Sequence, residues 1–370
     1  MKKSLILLSS AFGALAVMPA WSADAVMAPE PEPVEYVRIC DAYGAGFFYI
    51  PGTETCLQIS GYVWYQMGAG SYEPVIDPIT GLDVSNDTPS YHYGASAQDG
   101  WRKNVRARVN FDARSETEWG TLRSFIRLET VWNGVGDGPA FVDQAYIQLG
   151  GLMMGYSESF WVDSKNGGAS NWGSHSWSGM YYGYTQRALI GYRFDSNGFF
   201  GAISLEDDAL AGEGYMPDVV AKIGYTGGWG TAWLKAAYDE SADLFAAGAG
   251  VQVNVPNMPG SSLRILGYYN EGDNAYGTGS PLGTDAEWSI LASYNQQFTE
   301  ALGASVGVHY FNDLYVGGTN ISTGLDAWAA ELSVVWFPVS QFEVRTELGY
   351  AEVDGRDGSL SGFLRFTRYF

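Results

Sequence analysis

Polar and apolar residues alternate along residues 101–114, which read WRKNVRARVNFDAR. One phase is polar and strongly basic, and comprises Arg102, Asn104, Arg106, Arg108, Asn110, Asp112 and Arg114; the other comprises Val105, Ala107, Val109, Phe111 and Ala113. Because side chains of a β-strand point alternately to its two faces, this stretch predicts a strand with one apolar and one charged face. Such a strand fits a soluble sheet with its charged face in water. It equally fits a transmembrane barrel with its apolar face in lipid and its polar face in a wet lumen.

The same alternation of polar and apolar residues recurs from Thr55 onward, in short runs separated by Gly, Asn, Asp, Ser or Pro. These runs predict about sixteen strands and no helix, near residues 57–65, 101–114, 119–132, 142–149, 152–157, 185–194, 198–206, 218–226, 230–239, 244–255, 262–270, 286–297, 301–312, 326–337, 341–352 and 361–370. A barrel of 16 to 18 strands leaves an aqueous channel, whereas eight strands leave an interior that side chains fill. The pattern therefore favours an all-β, 16-stranded antiparallel transmembrane barrel.

Aromatic residues strengthen the membrane interpretation. The chain contains 25 Tyr, 18 Phe and 13 Trp among its 370 residues. Trp328 and Trp336 sit at the two ends of one apolar stripe, as expected for residues at the two membrane interfaces. The last strand ends at Phe370, which is typical of outer-membrane barrels.

The N-terminus predicts export. Lys2 and Lys3 precede an apolar run from Leu5 to Val17 that is too short to span a bilayer, so residues 1–22 are interpreted as a signal peptide. Without them, 18 basic residues face 41 acidic ones, a net charge of −23. This charge argues against nucleic acid as a partner, since phosphate binding needs clustered positive charge.

Residues 23–54 are expected to form an N-terminal segment ahead of a barrel at 55–370. Its two cysteines, Cys40 and Cys56, are the only ones in the chain. In an exported protein such a pair indicates a disulfide, which contributes about 3 kcal/mol for a loop of this length. Two free thiols or a metal pair is the alternative, but no histidine lies near them in sequence.

Three stretches resemble the alphaproteobacterial outer-membrane porins: residues 23–65, around CDAYGAGFFYIPGTETC; residues 143–159, DQAYIQLGGLMMGYSES; and the end, GFLRFTRYF. The resemblance implies a 16-stranded homotrimeric porin of the outer membrane, in contact with lipid and lipopolysaccharide. It would pass ions and small hydrophilic solutes passively, without a cofactor, with its third long loop folded into the lumen. That loop would be residues 158–183, although it lacks the PEFGG signature of enterobacterial porins.

In porins of this architecture, basic wall residues face acids on the inward loop, and the field between them discriminates ions. The expected basic wall is Arg106, Arg108, Arg123 and Arg127, and the expected loop acids opposite are Glu158 and Asp163. The alternative is that these arginines pair with Asp112 and Glu129 on neighbouring strands and only stabilise the wall.

Other candidate chemistry is sparse. Trp161, Trp172 and Trp177 suit either a stacking track for sugars or, preferably, anchors that fix the loop. His92, His175 and His309 show no metal-ligand spacing, and no GxSxG or P-loop motif is present. No enzyme activity is expected. A substrate-selective channel is the rival hypothesis, and a barrel enzyme or adhesin is a more distant one.

Overall fold

The computed structural model describes residues 38–89, 101–133, 138–162, 173–207 and 216–370. The predicted signal peptide, His92, Asp163 and Trp172 lie outside these residues. None of the helices in the described part of the chain is long and apolar enough to cross a membrane.

Seventeen strands and one 3₁₀ turn account for the regular structure of these residues. They are a 3₁₀ turn at Asp41–Tyr43, then β1 Phe47–Tyr49, β2 Cys56–Gly70, β3 Arg102–Thr117, β4 Gly120–Trp132, β5 Phe141–Leu149, β6 Leu152–Glu158, β7 Gln186–Ser196, β8 Phe199–Asp207, β9 Asp218–Gly227, β10 Gly230–Asp239, β11 Leu244–Asn254, β12 Ser262–Asn270, β13 Ala286–Thr299, β14 Leu302–Leu314, β15 Ala327–Val339, β16 Phe342–Val353 and β17 Ser359–Tyr369.

Strands β2 to β17 form a closed antiparallel barrel. Each pairs with the next in sequence, and β17 pairs with β2 to complete the cylinder. The last residue takes part in this closure, because the backbone of Phe370 exchanges two hydrogen bonds with that of Gly61. The predicted sixteen-stranded barrel is confirmed, and closure pairs each of β2 to β17 on both sides.

The outward face of the barrel carries the predicted apolar phase. On β15, Trp328, Leu332 and Trp336 are exposed, whereas Glu331 and Ser333 between them are buried. On β16, Leu348 is exposed and its neighbour Glu347 is buried. Apolar side chains therefore face outward and polar ones inward, as alternation along a strand requires.

Connections differ between the two ends of the barrel. One end has mainly tight turns, such as residues 118–119, 150–151 and 300–301. The other end carries the long loops, which we number in chain order: the third loop is residues 159–185 and the sixth loop is residues 271–285.

The segment before β2 packs at the tight-turn end. Cys40 and Cys56 form the predicted disulfide, with their Cα atoms 6.0 Å apart. Both cysteines are buried together with Phe47, and β1 pairs antiparallel with the first residues of β2. The disulfide thus ties the N-terminal segment to the start of the barrel.

The lumen differs from the expected continuous hydrophilic interior. A cluster of buried apolar side chains fills one side of it, where inward residues of β7 to β13 such as Leu189, Val220 and Leu291 meet Phe160 and Met180 of the third loop. Many wall residues on this side are apolar because the loop, rather than water, covers them. Charged wall residues on this side, such as Glu206, Asp218 and Lys235, are at most 9% exposed, whereas Arg106 and Arg108 on the remaining side are 18% and 21% exposed.

Candidate functional site: the arginine wall and the third loop

Two neighbouring strands place five arginines on the charged side of the lumen. Arg106, Arg108 and Arg114 lie on β3, in the same phase as buried Asp112. Arg123 and Arg127 lie on β4, where the register sets Arg114 beside Arg123. On each strand these arginines are an even number of residues apart, so they point to the same face and form a ladder of guanidinium groups. We call these five residues the arginine ladder.

Toward the end with the long loops, Arg106, Arg108 and Arg127 are paired with carboxylates of the same wall. Nε of Arg106 lies 3.0 Å from Oε1 of Glu129, and Nη2 of Arg108 lies 2.6 Å from Oε2 of the same carboxylate. Nη1 of Arg127 lies 3.2 Å from Oδ2 of Asp143. Each guanidinium thus has a counter-charge on the same or an adjacent strand.

Toward the tight-turn end, Arg114 and Arg123 share one carboxylate, and Arg114 also contacts the N-terminal segment. Asp112 accepts hydrogen bonds from both Arg114 and Arg123, with distances of 2.7 Å and 2.8 Å at its Oδ2. The guanidinium carbon of Arg114 also lies 5.0 Å from the ring centroid of Phe47. The disulfide-tied segment therefore supports the tight-turn end of the ladder.

Cross-strand pairing with Asp112 and Glu129 is thus present, as the alternative interpretation expected. The pairing is unequal in exposure. The carboxylate side chains of Glu129, Asp112, Asp143 and Glu158 are 4%, 7%, 11% and 18% exposed, and the arginine side chains of the ladder are 18–27% exposed. The acids lie deeper in the wall, and the guanidinium groups are its more accessible charges.

The two expected loop acids have different outcomes. Glu158 is the last residue of β6 and not a loop residue. Its Oε1 lies 3.7 Å from Nη1 of Arg127, so it neighbours the ladder rather than facing it across the lumen. The expectation of an opposing position is wrong for Glu158, because β6 ends one residue later than the pattern indicated. Asp163 lies outside the described residues.

The described part of the third loop is folded into the lumen, as expected, and reaches the far wall. Backbone N of Trp177 donates to Oε1 of Glu347 at 2.6 Å, and Oγ of Ser176 donates to Oε2 of Glu331 at 2.5 Å. Glu331 and Glu347 lie on β15 and β16. Hydrogen bonds to buried carboxylates are among the stronger ones, so these contacts hold the loop across the barrel.

Two of the loop tryptophans anchor the loop. Trp161 is 1% exposed, and Nζ of Lys235 lies 3.9 Å from its ring centroid and donates to its backbone oxygen at 3.1 Å. Trp177 is stacked on Arg365 of β17 with 3.8 Å between guanidinium carbon and ring centroid. These contacts support anchoring rather than a sugar track for both residues.

Histidines in the described chain also have structural partners. His175 bonds through its two ring nitrogens to the hydroxyls of Ser293 and Ser262, at 2.7 Å and 2.8 Å. His309 bonds to the hydroxyl of Ser289 at 3.0 Å. Within the described residues, no group of three or more His, Cys, Asp or Glu side chains is placed to hold a metal ion.

Sequence reasoning missed the residues that receive the loop. Glu331, Glu347 and Arg365 lie in the inward phase of predicted strands, so the alternation predicted that their side chains face the lumen. Their partners were not, because the loop residues that they contact lie about 150 or more positions away in sequence.

Comparison with known proteins places the chain in a family. A family model described as a porin subfamily matches residues 24–362. The porin Omp2b of Brucella suis is 32% identical over 99% of both chains, and that of Brucella melitensis is equally similar.

Among solved structures, the outer-membrane channel DcaP of Acinetobacter baumannii superposes with a TM-score of 0.65 at 13% identity, covering 87% of this chain and 99% of that one. The anion-selective porin of Comamonas acidovorans superposes with a TM-score of 0.56 at 12% identity, covering 86% and 100%. The chain belongs to the porin subfamily and is a passive channel of the outer membrane.

Proposed function

We propose that ions and small hydrophilic solutes cross this porin through the gap between the arginine ladder and the third loop, down their gradients and without covalent chemistry. One observation carries the proposal: the loop fills the side of the lumen lined by β7 to β13, while the ladder keeps its guanidinium groups accessible on the other side. A solute that avoids the apolar cluster must then pass the ladder.

The same geometry favours anions at the narrowest point. The carboxylates of the wall are more buried than the guanidinium groups, and residues 173–185 of the loop contain no acid. Charges at a constriction act on ions at close range, whereas the excess of acidic residues elsewhere acts through salt-screened solvent. We therefore propose a local anion preference that outweighs the net negative charge of the chain.

Charge reversal tests this assignment. In planar bilayers with a KCl gradient, the double variant Arg106→Glu and Arg108→Glu is expected to shift the reversal potential toward cation preference. The matched control is Arg38→Glu with Arg356→Glu, which makes the same charge change outside the ladder and is expected to leave the potential near that of the wild type. Equal potentials for all three proteins would contradict the assignment. Conductance that saturates with, or is blocked by, one solute would instead indicate a substrate-selective channel.

We also propose a homotrimer embedded in outer-membrane lipid and lipopolysaccharide. Exposed apolar side chains cover the outside of the barrel, as a lipid-facing surface requires. An apolar groove of about 360 Å³ between β16, β17 and β2, lined by Leu348, Leu360 and Leu364 beside Gly70 and Gly362, offers a contact for a neighbouring barrel. A trimer form has been solved for OmpT of Vibrio cholerae, a barrel of the same fold. Mass measurement in mild detergent tests the trimer, and a monomeric mass would contradict it.

A further inference from the structure

The sixth loop also folds into the lumen. It leaves β12 at the end that carries the long loops, yet Tyr276 in its middle is 0% exposed. Backbone N of Ala275 donates to Oδ2 of Asp239 on β10 at 2.8 Å. Nη2 of Arg187 on β7 donates to the backbone oxygen of Ala275 at 3.3 Å. The loop therefore reaches inward to strands that are not its neighbours in the barrel.

Tyr276 fixes the loop to two wall carboxylates. Its hydroxyl donates to Oδ2 of Asp218 on β9 at 2.8 Å and lies 3.4 Å from Oε2 of Glu206 on β8. Its ring packs edge-on against Trp161 of the third loop, with 6.1 Å between the centroids. The tyrosine thus contacts both the wall and the third loop.

Glu206 binds both loops at once. Its Oε1 accepts a hydrogen bond from backbone N of Phe160 at 2.9 Å, while its Oε2 faces the hydroxyl of Tyr276. Glu206 is 1% exposed, so this carboxylate depends for its stabilisation on these partners and on the hydroxyl of Ser204, which donates to Oε1 at 2.6 Å. A single buried acid therefore joins the start of the third loop to the middle of the sixth.

The two loops also contact each other directly. Backbone N of Gly183 donates to the backbone oxygen of Thr278 at 3.1 Å. Gly183 has a φ of +71°, and a Cβ there would lie 2.0 Å from the backbone oxygen of Gly277. Only glycine permits this approach, so the sequence at the end of the third loop is adapted to the presence of the sixth.

We propose that the sixth loop is a second constriction loop. It holds the third loop in position and closes the β7–β13 side of the lumen to solutes. This rests on the proposed passage along the arginine ladder. Without the sixth loop, Trp161 would lose its contact with the ring of Tyr276, and Glu206 would lose the hydroxyl that faces its Oε2. Both the width of the passage and its confinement to the ladder are then properties of two loops, with Tyr276 as the positioning residue between them.

Single-channel recording of the full-length protein tests the proposal. Tyr276→Ala is expected to raise the conductance by roughly half, because the lumen of a 16-stranded barrel conducts wherever it is not filled. It is also expected to admit larger polyethylene glycols in pore-sizing experiments. Tyr276→Phe keeps the ring and loses the hydrogen bond to Asp218, and it is expected to increase the open-channel current noise.

The matched control is Tyr310→Phe, which loses a hydrogen bond to Asp326 of 2.5 Å at the rim of the barrel. It is expected to behave as the wild type. Folding is checked by the shift in gel mobility on heating, and Tyr276→Phe keeps the test valid if Tyr276→Ala does not fold. Wild-type conductance, sizing and noise in the folded Tyr276 variants would overturn the second constriction loop. A wild type that forms no channel would instead contradict the proposed function.

Discussion

The guanidinium carbon of Arg365 lies 3.8 Å from the ring centroid of Trp177 and 4.6 Å from that of Trp64. Trp64 belongs to β2, Arg365 to β17 and Trp177 to the third loop. The cation therefore bridges the seam where the barrel closes and the loop that narrows it. A desolvated cation–π contact of this kind contributes about 2 kcal/mol.

Removing the loop partner of this contact is expected to loosen the third loop. Trp177→Ala should increase current noise and brief conductance changes in bilayer recordings, since the loop loses its stacking on Arg365. Trp119→Ala is the matched control, because Trp119 lies exposed in a tight turn. Recordings of Trp177→Ala that match those of the control would show that the stack does not hold the loop.

Neutralising a buried acid behind the ladder should act in the opposite direction to charge reversal. Glu129→Gln removes the carboxylate that lies 3.0 Å from Arg106 and 2.6 Å from Arg108. Arg106 and Arg108 then lose the negative charge of Glu129, while Arg108 keeps Asp143 at 4.0 Å, so anion preference in a reversal-potential measurement should increase. Glu54→Gln, at an exposed site, controls for the change in net charge. A shift toward cations would contradict the ladder.

The sixth loop is expected to respond to pH through Asp285. Burial raises the pKa of the Asp285 carboxyl from its ordinary 3.8 to about 7, against hydrogen bonds from the backbone of Asn274 and Gly279 that favour the charged form. The nearby carboxylate of Asp273 adds to the increase. The packed loop holds the proton more tightly than an open one, so its stability is greatest below about pH 4 and falls as the pH rises to about 7.

Open-channel noise should therefore rise from acid to neutral pH and change little above it. Asp285→Asn carries no titrating group, so its noise should be nearly independent of pH across the same range. A wild type whose noise is flat with pH, or a variant that titrates like the wild type, would show that Asp285 does not control the loop.

The disulfide should stabilise the barrel from its tight-turn end. Replacing both Cys40 and Cys56 by serine is expected to cost about 3 kcal/mol in free energy of unfolding. Phe47 would also lose its fixed position against Arg114. Thermal unfolding followed by circular dichroism should show the same loss in the reduced wild type and in the double variant. Unchanged melting would mean that the buried cluster holds without the bond.

Sequence alone predicted the barrel because lipid and lumen impose opposite polarity on successive residues. Strand β15 illustrates this, with Trp328 and Leu332 outward and Glu331 inward. The same rule predicted the inward arginines of β3, since one phase fixes the direction of all of them.

The route of the loops could not be predicted in this way. On β8, Phe200 and Ala202 face the lumen and Ile203 and Leu205 face outward, so both faces of the first part of the strand are apolar and the alternation is lost there. Hydrogen bonds between Tyr276 and Asp218 join positions 58 apart in sequence, which no local pattern indicates. The apolar cluster on the β7–β13 side of the lumen and the inward path of the sixth loop are therefore visible only in the structure.

Cysteine accessibility tests the passage along the ladder most directly. Current through Arg108→Cys channels is recorded while a charged, membrane-impermeant thiol reagent is added, and Val109→Cys is the control on the opposite face of β3. The native cysteines form a disulfide and do not compete for the reagent. We expect the reagent to change the current of Arg108→Cys and to leave Val109→Cys unaffected. An unaffected Arg108→Cys current, with Val109→Cys modified, would contradict a conducting path bounded by the arginine ladder.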